Sequence, residues 1–163
     1  MNPAAPLDLR ELFAHPWQGT ATVARPWWLR WFPVATTFAF RTEVSDLDQA
    51  ETTGLTVHDT TTFPNGRTWQ RTMNARLVGE GHWRITAADM PGGTDQHVTA
   101  DGFRFSYTIL APVLGPLRVP LRCDDEVRLV DPDTMVDTLE MRFLGLRVGR
   151  VTMRLRRIGT GAA

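Results

Sequence analysis

The sequence predicts an all-β protein, an antiparallel up-and-down meander of eight or more strands preceded by one short helix. Three observations carry this. Helical periodicity almost vanishes from Trp17 onward. Segments of roughly 7–11 residues, rich in Thr, Val and aromatic side chains, replace it, as half-buried pleated surfaces favour. Between them stand turn signals: Pro64-Asn65-Gly66, Gly79-Glu80-Gly81, Pro91-Gly92-Gly93, Asp101-Gly102, Asp131-Pro132-Asp133 and Leu144-Gly145. Asn-Gly is the clearest, because its conformation matches the twist of a tight hairpin. A sheet this long splits into a sandwich or closes into a barrel.

The helix comes first. After a Pro-rich start, Leu7-Asp8-Leu9-Arg10-Glu11-Leu12-Phe13 reads as a short amphipathic turn with Asp8 as its cap. At 163 residues the chain makes one domain. We place it at 7–158, with flexible ends over 1–6 and 159–163. Apolar residues are 42% and charged residues 22%, the balance of a folded chain rather than a disordered one. The 18 basic residues are all arginine and offset 18 acids, which argues against nucleic acid as a partner. The first residues carry no positive charge and lead into no apolar run, so no signal peptide is expected. The longest uncharged run, between Arg104 and Arg118, is too short to span a bilayer. With the lone Cys123, these features lead us to expect a soluble, cytoplasmic protein without a stable membrane anchor.

Alternation along each strand marks its inward set. Leu55, Val57 and Phe63 share a face with Asp59. Trp69, Met73, Ala75 and Leu77 share one with Arg71. Trp83, Ile85 and Ala87 run on to Asp89. Phe103, Phe105, Tyr107 and Ile109 form another row. Cys123, Val127 and Leu129 include Asp125; Met135, Leu139, Met141 and Phe143 include Asp137; Val151, Met153 and Leu155 are wholly apolar. The interior is therefore expected to hold one arginine, several aspartates and a phenol among large apolar groups. A carboxylate there must protonate or find a partner. Arg71 could supply one as a buried ion pair with Asp59, Asp125 or Asp137, or could anchor the polar end of a ligand. A third use is acid–base chemistry at a carboxyl whose pKa is raised.

Arg25-Pro26-Trp27-Trp28-Leu29-Arg30-Trp31-Phe32-Pro33 breaks the strand pattern. It reads as a plug against the barrel end, a cover over a ligand opening, or a membrane-interface segment. Other chemistries find little support. Neither Ser45 nor Ser106 sits in a nucleophile elbow. Cys123 lies beside Asp124 and Asp125, which disfavour the thiolate, so a buried structural thiol is expected. The histidines lack metal-type spacing, Asp124-Asp125-Glu126 alternate faces, and no Gly-rich phosphate loop exists, so we expect neither metal nor cofactor. Arg150, Arg154 and Arg156 share the outward face of the last strand, as a solvated sheet edge would.

In order, these motifs resemble an uncharacterised bacterial lipocalin-like (calycin-type) family whose members are commonly called lipoproteins of unknown function. The opening Leu7–Phe13 segment, Arg67-Thr68-Trp69 after a hairpin turn, Thr86-Ala87-Ala88-Asp89-Met90-Pro91-Gly92, Asp124-Asp125 followed by Leu129, and Phe143–Thr152 each match one of its segments. The chain departs in lacking a secretion signal and a lipid-bearing cysteine, and in carrying Glu126 for Trp and Arg150 for Glu. The resemblance implies a lipocalin-like barrel and, by analogy, a small apolar ligand; it supplies no activity.

The expectation is thus a lipocalin-like barrel that binds a hydrophobic molecule with one polar end, fatty-acid-, terpenoid- or polyketide-like. Trp69, Trp83, Phe103, Phe105 and Tyr107 would line the cavity, Arg71 would anchor the polar group, and Trp27, Trp28 and Trp31 would close the mouth. The alternative is a cofactor-free isomerase or cyclase, with Asp59, Asp125 or Asp137 as acid or base and Tyr107 polarising a carbonyl. A filled β domain serving only assembly is the third reading, and a homodimer is compatible with each.

Overall fold

Alternating side chains along the chain become ten strands. These are β1 (Trp17–Ala24), β2 (Thr37–Ser45), β3 (Gly54–Thr62), β4 (Thr68–Gly79), β5 (His82–Ala87), β6 (Met90–Val98), β7 (Gly102–Leu114), β8 (Leu117–Asp131), β9 (Thr134–Phe143) and β10 (Leu146–Arg157). The structure is a computed structural model that describes residues 5–31, 36–45, 54–114 and 117–159, the side chains of 112–114 excepted. The ends expected to be flexible fall mostly outside these residues, as do Phe32 and Pro33 of the aromatic segment.

Every strand pairs antiparallel with its chain neighbours, and β1 closes on β10 from Trp17↔Arg157 to Ala24↔Arg150. The result is the lipocalin-like up-and-down barrel that the sequence predicts. Closure corrects one expectation: the last strand is not an edge, because its backbone is paired on both sides. Gly19 permits this seam, since a Cβ there would sit 1.8 Å from the carbonyl oxygen of Arg154.

A second correction concerns Pro91-Gly92-Gly93. The turn lies instead at Ala88 and Asp89, and all three residues belong to β6. Gly92 and Gly93 use positive φ (79° and 63°) within the strand, where the ladder with β5 slips between Ile85 and Ala87. Left-handed glycines serve a bulge as well as a turn.

The N-terminal helix α1 (Leu9–Leu12) is capped as expected, the Asp8 carboxylate accepting from the Arg10 N–H at 2.8 Å. It stoppers one end of the barrel. Leu9, Leu12 and Phe13 are buried, and Phe13 packs its ring 6.4 Å from that of Phe103. The Trp17 indole N–H donates to the Leu12 carbonyl at 3.0 Å, and the Leu7 N–H to the Thr99 carbonyl at 2.9 Å. We call this end the floor.

In an up-and-down barrel successive turns alternate between ends. The turns after β1, β3, β5, β7 and β9 therefore share the opposite end, the mouth. There Trp27–Leu29 forms a single 3-10 turn. Trp27, Trp28 and Trp31 are exposed rather than packed as a plug, because one short turn cannot carry the rings back over the opening. Among the described residues, no helix is long and apolar enough to cross a membrane.

Candidate functional site

The inward rows enclose a cavity of about 320 Å³, so the interior is not filled. Its wall is apolar and aromatic, with Phe38, Phe63 and Trp69 toward the mouth and Phe13, Met135 and Leu155 toward the floor. Strand parity placed most of this wall correctly. Trp69, Arg71, Phe103, Phe105, Tyr107, Asp59, Asp125 and Asp137 all line the one cavity. Trp83 does not; it is buried in the core to the side. Trp27, Trp28 and Trp31 are likewise not among the lining residues.

Sequence reasoning missed the contribution of β1 and β2. Val23, Phe38, Phe40 and Thr42 complete the wall, and the alternation Phe-x-Phe-x-Thr was the readable signal. It also missed that pairing of β5 with β6 stacks His82 on His97, with ring centroids 4.9 Å apart. Among the described residues no group of three metal-ligating side chains converges.

The polar groups form a line from mouth to floor. Arg71 and Asp59 are direct cross-strand partners on β4 and β3. Even so, the guanidinium forms its ion pair elsewhere: Nε donates to Oδ1 of Asp89 at 3.1 Å, where the β5–β6 turn brings that acid over the rim. This corrects the expected pairing with Asp59, Asp125 or Asp137, which feel Arg71 at most through space. The guanidinium lies 5.3 Å from the centroid of the Tyr107 ring, a cation–π contact. Its Nη2 is buried and has no hydrogen-bond partner.

Deeper in, the Tyr107 hydroxyl donates to Oδ2 of Asp125 at 3.3 Å. Burial pushes the Tyr107 hydroxyl well above its ordinary pKa, and the charge of Asp125 adds to this. Burial also raises Asp125, against the pull of its hydrogen-bonding partners Asp137 and Tyr107. Asp137, nearest the floor, is raised well above the carboxylate range by burial and then by the charge of Asp125. Burial and their mutual charge disfavour ionising both carboxyls at once. Asp59 is pushed up to about 6 by burial, with Thr42 and Arg71 opposing. Burial weighs against the charge of each of these acids, and among the described residues lining the cavity Arg71 is the one base. The arrangement offers a ligand one orphaned guanidinium N–H₂ and a row of carboxyl groups within a mostly apolar wall. Cys123 stands behind this wall, fully buried, its thiol pushed up to about 12 by burial and the Asp125 charge.

The barrel is similar to two solved structures. One is the crystal structure of Rv2717c from M. tuberculosis, 16% identical with a TM-score of 0.63 over 96% of this chain and 99% of that one. The other is the S-type phycobiliprotein lyase CPES from Guillardia theta, 6% identical with a TM-score of 0.60 over 96% of this chain and 95% of that one. At such identities the likeness is one of fold. No curated protein matches the chain. Residues 34–157 match the family described as "Protein of unknown function (DUF3833)", and the chain belongs to that family.

Proposed function

We propose that the barrel binds a small hydrophobic molecule with one polar end, of fatty-acid, terpenoid or polyketide character. The observation that carries this is the unpartnered Nη2 of Arg71 in a cavity of about 320 Å³ whose wall is mostly apolar. Small-molecule sites span roughly 300–1,000 Å³ and fix their guests with a few polar groups on apolar walls. A buried guanidinium with an open donor costs stability unless something accepts from it. A carboxylate or carbonyl at that point would do so, leaving the tail against Phe103, Phe105 and the methionines below. The lyase of similar fold is named for action on a chromophore-bearing protein, which accords with a barrel that handles small molecules.

The test is titration of tryptophan fluorescence, to which Trp69 contributes from the cavity wall, with dodecanoic acid and with 1-dodecanol. Binding of both is expected. Arg71→Leu should weaken the acid by roughly ten- to a hundredfold, the worth of a hydrogen bond to a charged group, and the alcohol far less. No response to either probe, and no small molecule in native mass spectra of protein from its own host, would sink the proposal.

A second reading is favoured by one specific arrangement, the Tyr107–Asp125–Asp137 line, in which burial raises both carboxyls. A protonated carboxyl backed by a phenol could act as general acid toward a carbonyl or alkene, as a cofactor-free isomerase or cyclase requires. Under it, Asp125→Asn or Asp137→Asn abolishes turnover of a bound terpenoid while leaving its affinity within a few-fold; unchanged turnover in both variants rejects it.

A further inference from the structure

The mouth differs from the floor in charge and in how far its apolar side chains stand into solvent. Trp27 is 75% exposed, Trp31 82% and Leu144 84%, and Leu117, Leu146 and Trp69 stand exposed beside them on the same end. Toward the floor Leu77, Val78 and Val130 are exposed too, but none as far as Trp27, Trp31 or Leu144, which is what sets the mouth apart. Leu144 adds a second observation. It is the one described non-glycine residue with positive φ, at 49°, in a turn where Gly145 has φ 82°. Two successive left-handed residues make the hairpin turn that Asn-Gly favours. A leucine held there is strained, and the strain projects its side chain into solvent.

Charge is segregated along the barrel axis of a chain that is neutral overall. Arg30, Arg67, Arg118 and Arg147 are exposed at the mouth, and among the described residues no carboxylate is within ion-pair distance of any of them. Among the described residues of the mouth-end turns the one acid is Asp89, already held by Arg71. The floor end carries Asp8, Glu11, Glu80, Asp101, Asp131 and Asp133 against Arg10, Arg156 and Arg157, an acidic excess.

The geometry points to a bilayer-docking surface: the mouth seats reversibly on an anionic lipid membrane, with Trp27, Trp31 and Leu144 in the headgroup–acyl boundary and the rim arginines on lipid phosphates. Tryptophan favours that depth, and guanidinium forks match phosphate oxygens. The apolar tips come from separate turns and are interleaved with cations, which suits a fluid surface better than the packed apolar centre of a protein interface. The barrel wall itself stays in water. Its outward faces carry Arg122, Asp124, Glu126 and Arg128 on β8 and Arg150, Thr152, Arg154 and Arg156 on β10, where a lipid-facing barrel needs an apolar band. Docking is independent of which molecule the cavity holds.

The experiment is co-sedimentation of the whole protein with vesicles of phosphatidylcholine alone or with roughly a third phosphatidylserine. Binding is expected to the anionic vesicles, with a blue-shifted tryptophan emission, and to fall steeply with added salt. Each of Arg67→Gln, Arg118→Gln and Arg147→Gln should cost roughly fivefold in partition. Leu144→Asn relieves the turn, so it should hold or raise the melting temperature while cutting vesicle binding several-fold. A structural leucine would not show that opposition. No preference for anionic vesicles overturns the proposal. So does an equal loss from Arg128→Gln or Arg156→Gln nearer the floor, or a concentration-dependent dimer that Trp31→Ala dissolves in a protein that ignores vesicles.

Discussion

Arg71 and Asp59 face each other directly across β4 and β3, yet the guanidinium reaches past that register to bond Asp89 through Nε at 3.1 Å. The choice leaves Asp59 with burial as its dominant influence and leaves one arm of Arg71 open. Both consequences can be measured.

Asp89 competes with any anionic guest for the charge of Arg71. Replacing it as Asp89→Asn keeps the shape and removes the competition. Carboxylate-headed ligands should then bind tighter, by roughly three- to tenfold, with alcohol-headed ones unchanged. Calorimetric titration of the two ligand types against both proteins checks this.

Asp59 has a folded pKa of about 6 against 3.8 for the open chain. Folding therefore favours its protonated form. Its contribution to stability is complete below about pH 4 and is lost as pH rises through about 6. Asp59→Asn, which never ionises, should be more stable than the parent above pH 6, by as much as about 3 kcal/mol. The gain should shrink to near zero at pH 4. Urea midpoints across that range decide the matter; a variant less stable at pH 8 would mean that Arg71 depends on the Asp59 charge.

Gly19→Ala should be among the most damaging small substitutions in the chain. The added methyl would meet the Arg154 carbonyl oxygen at 1.8 Å, backbone that cannot rotate away. Separating β1 from β10 reopens the barrel, and a loss of roughly 2–4 kcal/mol is expected from thermal unfolding.

Cys123 should resist thiol reagents in the native state. It is fully buried, and its thiol is pushed up to about 12, so almost no thiolate exists at neutral pH. Labelling by a chromogenic disulfide should track unfolding in urea; rapid labelling in buffer would show that the wall between β7 and β9 opens locally.

Period-two alternation made the inward face legible, because one buried face forces register and a slip would invert it. Phe103, Phe105 and Tyr107 fell where their spacing put them, as did Asp125 among Cys123 and Val127. The partner of Arg71 was not legible. It depends on where the β5–β6 turn falls, and Gly92-Gly93 resembles a turn while acting as a bulge within β6. That the tryptophan segment does not pack as a plug was not legible either. Apolar content argues for burial, but composition does not say whether one short turn can bring its rings back onto the core, and here it leaves them exposed. Closure of β1 on β10 involves partners at opposite ends of the chain, and nothing local to either strand announces it.

Because α1 blocks one end, whatever occupies the tube enters and leaves by the same doorway, and two occupants cannot pass. With Arg71 near that doorway and Asp137 near the blocked end, an acid-headed guest goes in tail first and remains facing outward. Under the proposed binding, the resident guest must leave before another enters, and its head group is the part presented at the mouth.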